Sequence, residues 1–250
     1  MGRVEASDLW LVVPVHGHLD VTRRFLDSFD RQTVRCPLML VDDASPDNSV
    51  DWLRSNGWEV HVPCRRLWYN GVVNWAVSTA AVPYFGILNN DLVLGRHFVA
   101  ETIRAFERSS YDVLVPRAVN DSDQDALDRA RNPVIRSLWR QQGWCMLFRL
   151  EAVRRLPPIP SNDLRLWYGD TWLFHHAWSC GLRVGIMRHV WVFHERSVTV
   201  GDEASPAREV IEQDQEAVRL CYPWLRKRRP LGRLRCIPRP LRRHILPHIP

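Results

Sequence analysis

The chain has 250 residues, 46% of them apolar and 25% charged, which is enough for one large core and ordinary for a globular domain. No stretch reaches the roughly 20 uninterrupted apolar residues of a membrane span, and "MGRVEASDLWLVVPVHG" lacks the apolar run of a secretory signal, so a cytoplasmic location is expected. The net charge of +6 belongs to one end: nine basic residues and no acidic one lie from Arg226 onward, leaving 25 basic against 28 acidic residues in a slightly acidic body.

The first element is "LWLVVPV" (9–15), a continuous apolar and β-branched run of the kind found in parallel strands buried on both faces. "DVTRRFLDSFDRQ" (20–32) follows as a helix, with Val21, Phe25, Leu26 and Phe29 on one face. "PLMLVDDASPDNS" (37–49) predicts a second buried strand closed by acidic residues and a turn, and "NSVDWLRSNG" a helix ending at Gly57. "WEVHVP" predicts a third strand, "NGVVNWAVSTAA" a third helix and "YFGILNND" a fourth strand. The polar segment 120–133 predicts a loop, alone or with a short helix. Beyond it, "GWCMLFRLEAVRRL" reads as a strand running into a helix, 170–180 as a helix with Gly181 past its end, and "RVGIMRHVWVFHE" as a strand. A last helix opens with Ser205 as N-cap and Pro206 at its first position.

Strands alternating with helices at this spacing predict an α/β fold with a doubly wound, mostly parallel sheet, whose ligands gather at the carboxyl ends of the strands. The polar ends of the first, second and fourth strands then share one rim: Pro14 with His16, Asp42 with Asp43, and Asn89 to Asp91. Taken singly, each has a plain structural reading. Asp42 and Asp43 fit an Asx turn or a helix cap, and "NND" fits a polar turn. Two adjacent carboxylates at a buried strand end favour binding, because burying unpaired charge is costly. The six cysteines (Cys36, Cys64, Cys145, Cys180, Cys221, Cys236) contain no C-x-x-C pair, so zinc-ribbon spacing is absent, and most are expected to be small buried apolar residues.

"VVPVHG", "LVDDASPDNS", "NGVVNWAVSTAAVPYFGILNNDLVL", "GWCMLFRLEAV", "WYGDTWLFHHAWSCGLRV" and "VWVFHERSVT" occur in this order over roughly residues 8 to 200. The set resembles the GT-A glycosyltransferases of family 2, a group that includes bacterial rhamnosyltransferases. The resemblance implies a single GT-A domain over 1–205; the residues beyond it predict a C-terminal helix over 206–225 and an Arg/Pro-rich tail over 226–250, which the resemblance leaves unexplained. It implies an inverting, metal-dependent hexosyl transfer from a UDP- or dTDP-sugar to an acceptor hydroxyl. In that reading Pro14, His16, Asp42, Asp43, Asn70, Asn74, Asn89 and Asn90 surround the donor, with Asp43 on the base or ribose. Asp91, the last carboxylate of the family's Asp-x-Asp motif, and the late His194 hold Mn²⁺ or Mg²⁺; imidazole suits Mn²⁺ better. Asp170 matches the catalytic carboxylate, kept ionised by a helix N-terminus and able to deprotonate the acceptor. Gly143, Trp144 and Trp172 fall on the acceptor side, and His175 and His176 read as packing or acceptor-side residues. The sequence departs from the family at Asn89, which replaces an Asp, at Gly169, which replaces a Glu, and at Trp172, which replaces a common Asp.

Two other classes fit the sequence less well. A nucleotidyltransferase needs a Gly-rich basic loop after the first strand, and "PVHGHLD" has one glycine and no Lys or Arg. A nucleic-acid-binding module could use the tail, but the acidic body argues against that as the main function. The acceptor stays open among a glycan, a lipid-linked precursor, a protein side chain and a modified DNA base. The basic tail can meet an anionic partner, whether phosphate, an anionic membrane surface or an acidic protein, or stand as a solvated arm.

Overall fold

A computed structural model describes residues 5–119, 134–136, 143–195 and 207–226. The predicted loop over 120–133, the Ser205–Pro206 helix start and the basic tail beyond Arg226 lie outside the described residues. Among the described residues nine strands form one sheet: β1 (Leu9–Val15), β2 (Leu38–Asp42), β3 (Val60–His61), β4 (Tyr84–Leu88), β5 (Leu92–Leu94), β6 (Val113–Val119), β7 (Val134–Arg136), β8 (Cys145–Arg149) and β9 (Val184–His194). Their order is β3-β2-β1-β4-β8-β6-β9-β5, with β7 also paired to β9. Six of them (β1, β2, β3, β4, β6 and β9) run the same way, so the sheet is mostly parallel, as the alternation predicts. The short β3 follows from its place at the edge, where only Val60 and His61 pair with β2.

Seven helices among the described residues cover the sheet: α1 (Leu19–Asp30), α2 (Ser49–Ser55), α3 (Trp68–Thr79), α4 (Phe98–Arg108), α5 (Leu150–Val153), α6 (Gly169–Ser179) and α7 (Ala207–Leu220). Side chains alternate across a strand, and β1 divides its residues accordingly. Leu9, Leu11, Val13 and Val15 pack with Phe25 and Phe29 of α1 and Phe98 and Phe106 of α4. Val12 instead joins Val72 and Val73 of α3, Phe174 of α6 and Val218 of α7 on the other face. Both faces are thus covered, which is why the strand has no polar alternation. Gly57 and Gly181 close α2 and α6 at φ 79° and 77°, each in a Schellman arrangement.

The antiparallel strand β8 has the largest consequence for the rim. It pairs with β4 from Tyr84↔Arg149 to Leu88↔Cys145, so its start, not its end, reaches the place where β4 stops. At its far end the Arg149 guanidinium donates to the carbonyls of Tyr111, Phe106 and Ser109 and to the Tyr84 hydroxyl, all at 2.8–2.9 Å. Arg149→Ala would strand those acceptors. A loss of about 2–4 kcal/mol in unfolding free energy is expected by urea denaturation; a loss below about 1 kcal/mol would mean water replaces the guanidinium without cost.

The cysteines depart from expectation. Cys36 and Cys145 are buried, but Cys64, Cys180 and Cys221 are exposed, because they sit in the turn after β3 and just past the ends of α6 and α7. Among the described residues no helix is long and apolar enough to cross a membrane.

Candidate active site

Where β1, β2 and β4 end, the chain leaves a cavity of about 480 Å³. Its wall includes Pro14, His16, Asp43, Asn70, Asn89, Asn90, Asp91, Gly143, Trp144, Asp170 and His194. Segments far apart in sequence meet here for topological reasons. The antiparallel β8 delivers Gly143 and Trp144, and β9 brings His194 opposite Leu92 through the Leu92↔His194 pairing.

One corner is built by Asp91 and His194. Asp91 is buried at 7% exposure, and its Oδ2 lies 3.2 Å from His194 Nε2. Asp91 Oδ1, His194 Nε2 and Asn89 Oδ1 are all buried without a hydrogen-bond partner. Buried polar atoms are nearly always paired, so three orphans at one corner of a cavity mark a place for a ligand. Around them the support is firm. Glu195 N–H donates to the Asp91 carbonyl at 3.0 Å, and Arg24 forks onto the Glu195 carboxylate at 2.8 and 2.6 Å. Trp144 stacks on the His194 ring at 5.4 Å between centroids. One carboxylate oxygen and one imidazole nitrogen suit Mn²⁺ better than Mg²⁺, which holds more strictly to oxygen ligands. Among the described residues no group of three or more His, Cys, Asp or Glu is placed to hold a metal ion, so the remaining positions of such an ion would fall to ligand oxygens and water.

The opposite corner holds Asp43, Arg66 and Trp68. Both Asp43 oxygens accept backbone amides, from Leu67 at 2.5 Å and Trp68 at 2.8 Å, so this carboxylate caps the start of α3 rather than any helix next to it in sequence. Trp68 needs the help, since it sits at φ 60°, a conformation that costs a bulky residue about 1–3 kcal/mol. Arg66 lies over the Trp68 ring at 3.5 Å and 3.7 Å from Asp43 Oδ2, placing a cation on the cavity wall. His16 Nδ1 donates to the Asp43 carbonyl at 2.9 Å; burial, and then the Arg66 charge, push its pKa below the usual value.

The third wall is acceptor-side in the sequence reading. Asp170 is the second residue of α6, and its Oδ1 accepts Thr171 N–H at 2.6 Å. A Cβ on Gly143 would stand 3.2 Å from Asp170 Oδ2, so the glycine lets the β8 entry pass against the carboxylate. Tyr69 bridges to the same place, donating its hydroxyl to the Gly143 carbonyl. The helix-terminal position leads one to expect an ionised Asp170, but burial outweighs the amide hydrogen bonds and pushes its pKa up.

Three of the residues read from sequence do not line the cavity. Asp42 spends its carboxylate on Ser45, at 3.0 Å to the amide and 2.5 Å to the hydroxyl. Asn74 donates to the Ile159 carbonyl at 2.7 Å and accepts the Ile159 amide at 3.0 Å, tying α3 to the loop before α6. Trp172 donates its indole N–H to the Pro157 carbonyl and packs against His176, Tyr222 and Trp224; His175 also lies against Trp224, so the two histidines are packing residues here. Asn90 lines the wall but donates to Thr22 Oγ1 at 2.9 Å. Arg66, Trp68, Tyr69, Trp167, Tyr168 and Thr171 line the cavity without having been read from sequence.

Gly169 explains one departure from the family pattern. A Cβ there would lie 1.8 Å from Asn70 Oδ1 and 2.5 Å from its Cγ. Asn70 is wholly buried, and its amide donates to the Leu164 and Trp167 carbonyls at 2.8 and 2.9 Å, so it has no room to retreat. Gly169→Ala should lose about 2–4 kcal/mol of stability, with Gly169→Ala/Asn70→Ser recovering part of it in a double-mutant cycle. Full independence of the two substitutions would show that the contact is relieved elsewhere.

Comparison with known proteins gives this geometry its context. No curated protein matches the sequence significantly. Among solved structures, the 1–349 segment of S. aureus TarS is similar at TM-score 0.55 and 13% identity, over 73% of this chain and 59% of that one. GalNAc-T7 with UDP, GalNAc and Mn²⁺ gives TM-score 0.62 and 14% identity, over 77% of this chain and 44% of that one. The mannosyltransferase PcManGT from Pyrobaculum calidifontis, in complex with GDP-Man and Mn²⁺, gives 0.56 and 14%, over 90% and 74%. This chain therefore spans about half the length of the first two, and at such identities the likeness establishes the fold, which is GT-A. The sequence itself matches Glycosyl transferase family 2 over residues 10–187, well over half of its length, and the chain belongs to that family.

Proposed function

We propose that this protein is an inverting glycosyltransferase that moves a sugar from a UDP- or dTDP-sugar to an acceptor hydroxyl, with Mn²⁺ or Mg²⁺ as cofactor. The observation that carries the reading is the pair of buried ligand atoms that make no hydrogen bond, Asp91 Oδ1 and His194 Nε2, on the cavity that Asp170 also lines. Asp91 and His194 would hold a divalent cation, which would supply positive charge against the donor diphosphate. Arg66, over Trp68, adds a second cation on the donor wall, and His16, Pro14 and the Asp43 region frame the base and ribose. Asn89 Oδ1, also unpartnered, is free to accept from a donor hydroxyl.

Asp170 takes the proton of the acceptor hydroxyl while that oxygen forms its bond to the anomeric carbon. The bond from that carbon to the diphosphate oxygen breaks on the opposite side, and its electron pair leaves with the nucleoside diphosphate. Configuration inverts because a single displacement is made. Burial keeps Asp170 a stronger base than an exposed carboxylate. Trp167, 41% exposed, adds aromatic surface to the same cavity, a face suited to the C–H side of a sugar ring, so a glycan is an acceptor class that fits the wall. The bound UDP, GalNAc and Mn²⁺ of one structural neighbour, and the GDP-Man and Mn²⁺ of another, support a nucleotide-sugar donor and a divalent metal.

Thermal unfolding with UDP, dTDP and GDP, each with and without Mn²⁺, tests the reading. A nucleotide at 100 times its dissociation constant stabilises by about 2.7 kcal/mol, which is a rise of about 5–10 °C for a chain of this size. A Mn²⁺-dependent rise with one nucleotide identifies the donor series. No rise with any of them removes the donor site.

A further inference from the structure

The loop that delivers Trp167, Tyr168 and Asp170 is held by a residue outside the family match. Three successive backbone amides, those of Arg165, Leu166 and Trp167, donate to the carboxylate of Asp214 at 3.0, 2.7 and 2.8 Å. Asp214 lies on α7 and is wholly buried, whereas the match to the family ends at residue 187. Its position in the helix is anomalous. Ala207, Val210, Ile211 and Val218 form the buried stripe of α7, and Asp214 occupies the place in that stripe where an apolar residue would pack. Burying a carboxylate there is costly unless its lone pairs are filled, and three amides fill them.

From the other side the same loop is gripped by Asn70, which takes the Leu164 and Trp167 carbonyls on its amide and donates its backbone N–H to the Arg165 carbonyl at 3.0 Å. Between these two grips the chain enters Tyr168 at φ 62°, the N-cap of α6, two residues before Asp170. The arrangement parallels the other wall, where Asp43 holds the amides of Leu67 and Trp68 at an equally strained aromatic. Ala207, at the start of α7, itself lines the cavity.

We propose that Asp214 is a positioning residue: by fixing the amides of residues 165–167 it sets the strained Tyr168 and thereby aims Asp170 and Trp167 at the acceptor side, so that α7 belongs to the catalytic unit. This rests on the transferase reading for its consequence, though not for the clamp. The donor corner of Asp91 and His194 is built from β4, β5 and β9 and does not depend on it.

The test compares full-length wild type, Asp214→Asn, Asp214→Ala and, as a control on an exposed position of the same helix, Glu212→Ala. Hydrogen exchange read on peptides covering 160–172 decides the clamp. Residues 165–167 should lose protection in the order Ala, then Asn, then wild type, with β1 and β4 unchanged. Calorimetry with UDP, dTDP or GDP and Mn²⁺, and release of nucleoside diphosphate from the matching sugar nucleotide, decide the positioning. Nucleotide affinity should be unchanged while kcat falls by on the order of 10²-fold in Asp214→Ala. Unchanged exchange at 165–167 overturns the proposal, as does a parallel fall of nucleotide affinity and kcat with exchange rising throughout the sheet. If the wild type binds none of the nucleotides, the transferase reading fails, and the exchange experiment still decides whether Asp214 holds the loop.

Discussion

Asp91→Ala should abolish the stabilisation that a nucleoside diphosphate and Mn²⁺ together give the wild type, and should lower transfer by roughly 10²–10³-fold, the equivalent of several kcal/mol of lost charge stabilisation. Asp91 is a buried carboxylate with one oxygen 3.2 Å from His194 Nε2 and the other without a hydrogen-bond partner in the protein. Without a cation to fill it, an oxygen so placed costs stability, so removing the side chain should leave the melting temperature without Mn²⁺ unchanged or slightly higher. A loss of ligand-linked stability without a loss of intrinsic stability separates a ligand role from a structural one. His194→Ala should show the same pattern in weaker form, because it removes a neutral ligand and leaves the charged one. Should Asp91→Ala keep the full Mn²⁺-dependent rise, the metal corner is misassigned.

Why the rim could be read from sequence, and the far walls could not, follows from what each depends on. Pro14, His16, Asp43 and Asn89 to Asp91 sit where apolar strands stop, and strand ends are local features of composition. His194 follows the same rule at the end of β9. Trp68 and Tyr168 escape it because nothing in their identity predicts a positive φ; the segments that lead into them are held by carboxylates distant in the chain, Asp43 and Asp214. Arg66 reaches the cavity only because the turn before α3 folds back onto Asp43. Asn74 misled for the converse reason: its amide looks like a binding group, but the loop at Ile159, 85 positions away, consumes it. One long-range signal was present in the sequence, the aspartate at 214 in an otherwise apolar helical stripe.

Asp170→Asn should lower kcat by roughly 10²–10⁴-fold, the range of a general base, while leaving nucleotide and Mn²⁺ binding intact. Geometry makes the substitution clean. Asparagine keeps the oxygen that accepts Thr171 N–H and the shape that Gly143 packs against, and removes only the charge and the basicity. The pH dependence then carries the sign. Burial raises the Asp170 pKa, so the ionised base is lost as pH falls through a value above the ordinary carboxylate range, and kcat should fall on that acidic limb. The same shift acts on stability. A carboxyl that holds its proton more tightly when folded contributes its stability below the unfolded pKa and loses it as pH rises through the raised folded value. Above that raised value the charged Asp170 therefore weakens the fold, and Asp170→Asn should there unfold at an equal or higher temperature than the wild type, an advantage that shrinks as the buffer is made acidic. An inactive variant that is also less stable on the alkaline side of that limb would make Asp170 a structural residue of α6, and the proton would have to leave by another group.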